Sequence, residues 1–335
     1  MSSCNLYDFP DLRNASSLDD LDLSNNHLRG DIPSWIWETE KDSLDLSFNL
    51  LTGGKVPKSL GNCKKLEVMN VRNNNFKDIF PCMLSLSLRI LLLELLRSNR
   101  FQGDLRCSKS WPNVQILDIS SNNFSGRLNL LNVSSLRGMM LESSTHVRLN
   151  HSNSNYLPTN SYYHNEVNIT VKGIEVKIVK IWPDFTCIDL SSNYFEGDIP
   201  DEIGNLSSLY LLNLSHNSLT DTIPRSLGAL TELGSLDLSS NKLTGRIPDD
   251  LTKLDFLSFL NLSYNHLTGP IPTSSHFQTF SANSFEGNAG LSGFHSTEVS
   301  TTIIHLVHCH QTIRDQKMRK LSGNICLLLL VMLWE

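Results

Sequence analysis

Apolar residues return along this chain in one short phrase that closes on asparagine, as in Leu233-x-x-Leu236-x-Leu238-x-x-Asn241. The closing asparagines are Asn26, Asn49, Asn74, Asn99 and Asn122, then Asn193, Asn217, Asn241 and Asn265. They step by 23, 25, 25 and 23 residues, then by 71, then three times by 24. Counted back from most of these asparagines, positions −5 and −3 are apolar, as in Leu21 and Leu23, Leu212 and Leu214, or Leu260 and Leu262. Alternation at period two predicts a short strand with −5 and −3 pointing inward and −6, −4 and −2 facing solvent. The asparagine ends the strand, where its amide can bond backbone groups that the turn exposes.

A period of roughly 20 to 29 residues with this core is the signature of the leucine-rich repeat. The fold class is therefore a solenoid, with strands stacked at about 4.8 Å into a parallel sheet along one concave face. After the asparagine the chain repeats Leu-x-Gly-x-Ile-Pro, at Leu28 to Pro33, Leu243 to Pro248 and Leu267 to Pro272, and with Phe leading at Phe195 to Pro200. Glycine permits the tight turn and proline fixes an extended path. The convex side should therefore be extended segments and 3₁₀ turns rather than long helices. One coil cannot bury its apolar face alone, so the array holds collectively and its ends need caps. The phrase Leu-Asp-Leu-Ser-x-Asn-x-Leu-x-Gly-x-Ile-Pro resembles the plant-specific class of extracellular leucine-rich repeats, over roughly residues 18–135 and 180–285.

The step of 71 residues holds one repeat of 24 and about 47 more, near 139–183. Ser143 to His164 is rich in Ser, Asn, His and Tyr and reads as a loop. Glu166 to Lys180 alternates apolar and polar residues on either side of Lys172-Gly173, which predicts a β-hairpin or two short strands. Tyr162-Tyr163, the Val-Lys-Gly segment and the re-entry at Phe185 to Asn193 resemble the island domain of plant receptor-like proteins. The expected division is repeats over 1–138, the first partial; an island over 139–183; repeats over 184–285; and a degenerate cap with a disordered tail over 286–335. The resemblance implies ligand or coreceptor contact for the island, at Tyr162, Tyr163 and Lys172.

Met1 opens inside what reads as a partial repeat, Cys4 to Pro10, without the basic start and apolar run of a signal peptide. Phe277 to Leu291 resembles the segment that closes such arrays, although Ser292 stands where the family continues Cys-Gly. The apolar run Ile325 to Trp334 falls short of the roughly 20 residues that span a bilayer. Residues from about 294 onward are expected to be a truncated or frame-shifted tail.

A formal charge of −6 and a pI near 6.0 argue against a nucleic-acid partner, which usually calls for a basic stripe. Seven cysteines without a C-x-x-C pair give no zinc framework. His305, His308, Cys309 and His310 lie in the aberrant tail and are not read as a metal site. Walker, Gly-x-Ser-x-Gly and His-Glu-x-x-His motifs are missing, so neither an enzyme nor a cofactor is expected. Glycosylation acceptors occur at Asn14, Asn123, Asn132, Asn150, Asn168, Asn205, Asn213 and Asn261 and favour a secretory origin. Cys82 and Cys107 each stand eight residues after their repeat asparagine, which places them about 5 Å apart in adjacent coils and within reach of a disulfide. Cys63, at another phase, is an alternative partner for Cys82.

On the concave face, position −2 is a serine ladder broken by Arg72 and Arg97 in adjacent coils. Two guanidinium groups side by side suit a carboxylate or other anion. The coils from 193 to 265 add His216, Phe259 and Tyr264 to a surface of small residues, as contact points for a protein. The resemblance implies that a coreceptor docks on these last repeats. It further implies a partial ectodomain on the extracellular face of the plasma membrane. Such an ectodomain would bind a peptide, protein or glycan ligand and signal in defence or development. Signalling would run through recruited leucine-rich-repeat receptor kinases, as coreceptor and adaptor. The alternatives are a secreted inhibitor of a microbial cell-wall hydrolase, against which the island argues, and a truncated receptor fragment without function.

Overall fold

A computed structural model describes residues 1–293, except 14, 16–17, 39–42, 53–67, 83–90, 94–95, 108–109, 113, 141–166, 172–173 and 179–184. These residues lie in one compact unit, Met1–Gly293. The apolar phrase folds as its period demands. Nine strands form one parallel sheet in chain order: Asp20–Asp22, Ser43–Asp45, Val68–Asn70, Leu91–Leu93, Val114–Asp118, Cys187–Asp189, Leu211–Asn213, Ser235–Asp237 and Phe259–Asn261. The chain is a leucine-rich-repeat solenoid. Register is kept across the long interruption, where Cys187, Ile188 and Asp189 pair with Ile116, Leu117 and Asp118. One irregularity occurs between Leu91 and Leu92, which oppose Val114 and Ile116.

Positions −5 and −3 build the core: Leu21, Leu23, Leu44, Leu46, Leu212, Leu214, Leu260 and Leu262 are all buried. Each such side chain contributes about 1.5–3 kcal/mol when fully covered, and cover comes from the coils on both sides. Position +2 is also buried, and in four consecutive coils it is phenylalanine. Phe76, Phe101, Phe124 and Phe195 stack with centroids 6.1, 6.1 and 6.5 Å apart. This row runs unbroken from Phe124 to Phe195, between the coils that the insertion separates.

Beyond the turn the Leu-x-Gly segments pair as well, which the repeat pattern alone did not predict. Parallel ladders join Arg29–Gly30 to Leu50–Leu51. Others join Gln102–Gly103, Asn123–Arg127, Tyr194–Gly197 and Ser218–Leu219, and Thr244–Gly245, His266–Pro270 and Gly290–Ser292. Glycine suits these segments: Gly30, Gly103, Gly126, Gly197, Gly245 and Gly269 take φ between 75° and 86°, where a side chain is strained, and Asp221 takes the same position at φ 64° in the Ser218–Leu219 coil. Pro200, Pro224 and Pro248, at φ −64°, −69° and −64°, lead into 3₁₀ turns at Asp201–Asn205, Arg225–Ala229 and Asp249–Lys253. Trp35–Glu38 makes a single α-helical turn.

Met139 is fully buried and its carbonyl accepts the Ser208 N–H at 3.0 Å, so the start of the 139–183 segment packs as part of a coil. Asn288 repeats the ladder geometry, and Gly290–Ser292 pairs with Thr268–Pro270, so residues 286–293 continue the stack. Val167–Val171 and Ile174–Ile178 form the expected antiparallel pair, Val167 opposite Ile178 and Val171 opposite Ile174. Cys82 and Cys107 form a disulfide between adjacent coils, with Cα atoms 5.6 Å apart.

Candidate recognition surface

The ladder asparagines fix where every coil turns. Each buried amide works at both ends: Asn193 accepts the Phe124 N–H at 3.0 Å and donates to the Ile119 and Leu190 carbonyls at 3.1 and 3.2 Å. The residue before each asparagine is thereby held in the left-handed region. Asn25, Phe48, Asn73, Ser98, Ser121, Ser192, His216, Ser240 and Tyr264 all have φ between 52° and 54°. A side chain there costs about 1–2 kcal/mol relative to the right-handed region, and Asn or Gly eases it. His216, Tyr264 and Phe48 are the bulky occupants of this lane. His216 is exposed, Tyr264 and Phe48 are 56% and 43% exposed, and Phe259 is half-buried at the start of its strand. His216 thus stands on the coil that closes at Asn217, and Phe259 and Tyr264 share the coil that closes at Asn265, toward one end of the sheet. Phe48 was missed in the sequence, although it occupies the same −1 position as His216 and Tyr264. Tyr194, at +1 and 64% exposed, was missed as well.

Positions −4 and −2 were expected to face solvent. At the two ends of the sheet several do so at least in part, as Asp22 and Asp237 show. Asp118, Ser120, Asp189 and Asn213 are buried instead. The lane bonds itself. Asp118 accepts the Ser120 N–H at 2.9 Å and its hydroxyl at 2.5 Å; Asp189 accepts the Ser191 N–H at 2.9 Å; Asp237 accepts the Ser239 N–H at 2.9 Å. Between strands, Asn70 donates to Asp45 at 2.9 Å, Asn213 to Asp189 at 3.2 Å and Asn261 to Asp237 at 3.4 Å. Burial pushes the Asp189 carboxyl up to about 7; the Asp118 carboxylate adds to the rise and the Ser191 bonds oppose it. Burial also raises Asp118 against the pull of Arg97, and raises Asp45 and Asp237.

The two arginines, expected from their spacing to suit an anion, have partners within the chain. The Arg97 Nη1 lies 3.4 Å from Asp118 Oδ2 on the following coil. Arg72 is buried, with its guanidinium over the Phe48 ring, 4.7 Å from the centroid. One charge answers a carboxylate of the array and the other covers an aromatic face, so each guanidinium is engaged by the chain itself. Of the glycosylation acceptors, Asn213 is buried and Asn261 half-buried, and their amide nitrogens donate to Asp189 and Asp237. Asn123, Asn132 and Asn205 are exposed. Tyr162, Tyr163, Lys172, Asn14, Asn150, Cys63 and the His305 to His310 cluster lie outside the described residues, as does the side chain of Asn168. Among the described residues no group of His, Cys, Asp and Glu could hold a metal ion, and no helix is long and apolar enough to cross a membrane.

Models of the leucine-rich repeat match residues 17–38, 183–243 and 207–267. Receptor-like protein 18 of Arabidopsis thaliana is 43% identical over 197 residues, 59% of this chain and 23% of that protein. The chain therefore spans about a quarter of that relative, and similar shares of others named receptor-like proteins. Among solved structures it is similar to the ectodomain of the Arabidopsis receptor kinase GASSHO1/SCHENGEN3 in complex with CASPARIAN STRIP INTEGRITY FACTOR 2. That match has TM-score 0.59 and 28% identity, over 86% of this chain and 32% of that one. A plant ice-binding protein superposes with TM-score 0.60 at 21% identity, over 87% and 79% of the two chains, which establishes the fold alone.

Proposed function

We propose that this chain is part of the ligand-recognition ectodomain of a plant receptor-like protein, acting by binding and not by chemistry. The 43% identity to Receptor-like protein 18 over 197 residues carries this reading. It is supported by the similar fold of the receptor-kinase ectodomain that holds CASPARIAN STRIP INTEGRITY FACTOR 2. Ligand contact is assigned to the island residues Tyr162, Tyr163 and Lys172. Contact with a receptor-kinase ectodomain is assigned to the end of the array that carries His216, Phe259 and Tyr264. Exposed aromatics on a surface of small polar residues are the groups most able to anchor a protein partner. A ligand that touches both array and coreceptor stabilises their association by those shared contacts only. The cell surface, extracellular side, is the compartment this reading requires.

The test is binding of the full chain to purified plant leucine-rich-repeat receptor-kinase ectodomains, measured by biolayer interferometry. A partner should be found whose affinity falls at least tenfold in the triple variant His216→Ala, Phe259→Ala and Tyr264→Ala. A partner bound equally well by the variant would move the contact elsewhere. Absence of any partner would remove the coreceptor half of the proposal.

A further inference from the structure

Where the insertion interrupts the repeats, the polar lane of the sheet departs from its own pairing. Asp45, Asp189 and Asp237 each meet an amide on the next strand, at Asn70, Asn213 and Asn261, and where Asp22 stands in register with Asp45 it is exposed to solvent. Asp118 and Asp189 instead stand in register on adjacent strands, carboxylate beside carboxylate, at 1% and 2% exposure. Neighbouring strands are about 4.8 Å apart, and two buried carboxylates at that spacing do not both ionise readily. Among the described residues, the charged group from the preceding coil is Arg97, 3.4 Å from Asp118. The groups facing the pair from its own strand ends are Ser120 and Ser191, and from the next strand Asn213, all neutral. One guanidinium thus serves two carboxylates.

We propose that Asp118 and Asp189 hold one proton between them in the folded array, and that losing it loosens the seam between the two coils flanking the insertion. Burial and the neighbouring carboxylate place the Asp189 titration at about 7, against an ordinary value of 3.8. The sign follows from the raised value. The folded chain binds more protons than the unfolded chain between these limits, so the contribution to stability is complete below 3.8 and is lost as pH rises through about 7. The seam is therefore tight in acid and weakened in neutral to alkaline solution. Because it joins the coils on either side of the insertion, pH would set how firmly that part of the recognition surface is held. This inference stands apart from the receptor reading, since it concerns stability and needs no ligand.

Thermal unfolding of the full chain at pH 5 and pH 8 tests it, with Asp189→Asn, Asp118→Asn and the double variant. The fall in Tm between the two pH values should be about 5 °C larger in the wild type than in Asp189→Asn. The double variant should remove little more of the fall than either single one, because one shared proton is lost only once. If Asp118→Asn fails to fold for want of a partner to Arg97, hydrogen exchange supplies the second reading. Protection of the Cys187–Asp189 amides, corrected for intrinsic rates, should fall from pH 5 to pH 8 in the wild type and stay level in Asp189→Asn. An unchanged pH dependence in Asp189→Asn, or effects that add in the double variant, would overturn the proposal.

Discussion

The asparagine at the end of each strand is the residue on which the coil geometry turns, because its amide closes bonds to two coils at once. Asn193 bonds Phe124, Ile119, Leu190 and Ser191, all from a buried position. Asn193→Ala leaves several buried backbone groups without partners, each costing about 1–3 kcal/mol, so a loss of about 3–5 kcal/mol is expected. Asn217 makes the equivalent bonds to Phe195, Leu190, Leu214 and Ser215 but is less buried. Water can replace part of what Asn217→Ala removes, and its loss should be roughly half as large. Urea midpoints at constant m-value compare the two. The position of these asparagines was readable from spacing alone. The role of Arg97 was not, because its partner Asp118 comes from the next coil and only the register brings them together. Asn288 was overlooked for a related reason: its −3 residue is Phe285, but its −5 residue is the polar Asn283, so half of the apolar phrase is missing.

At the scale of the element, the 3₁₀ turns stack as closely as the strands do. A Cβ added at Gly228 would stand 2.5 Å from the Asp250 carbonyl oxygen, a backbone atom that cannot swing aside. Gly204 meets the Ser226 carbonyl in the same way. Gly30 differs: φ is 75°, yet an added Cβ would meet nothing within 4 Å. Gly228→Ala should therefore cost about 2–3 kcal/mol through overpacking of the turns, and Gly30→Ala about 1 kcal/mol through its backbone alone. Equal losses in chemical denaturation would refute the distinction. The strands beyond the turn were hidden from sequence reading because they are two to five residues long and carry no alternation. Their pairing follows from the strands before them. Once one ladder fixes the rise per coil, the next segment is delivered at bonding distance. The hairpin at 167–178 was legible because it alternates on both sides of Lys172-Gly173.

Across the whole molecule, stability is a sum over coils and the contacts between neighbours, so one weak seam can divide the unfolding. The phenylalanine row passes through the coils on either side of the insertion, with Phe124 stacked on Phe101 and Phe195 and edge-on to Phe80. Phe124→Ala should cost about 3–5 kcal/mol. It should also turn a single urea transition, followed by hydrogen exchange, into two, with the amides of 187–261 protected longer or shorter than those of 20–118. A single transition shared by both halves would show that the remaining contacts still couple them. The register across the interruption carries one more consequence. Asp189 finds Asp118 across 71 residues of sequence as readily as Asn213 finds Asp189 across 24. The scaffold counts coils and is indifferent to what lies between them, so a gene that duplicates, deletes or shuffles whole units preserves every lane while rewriting the face. Heredity can thus edit such a surface by cut and paste, with each unit travelling as an intact module.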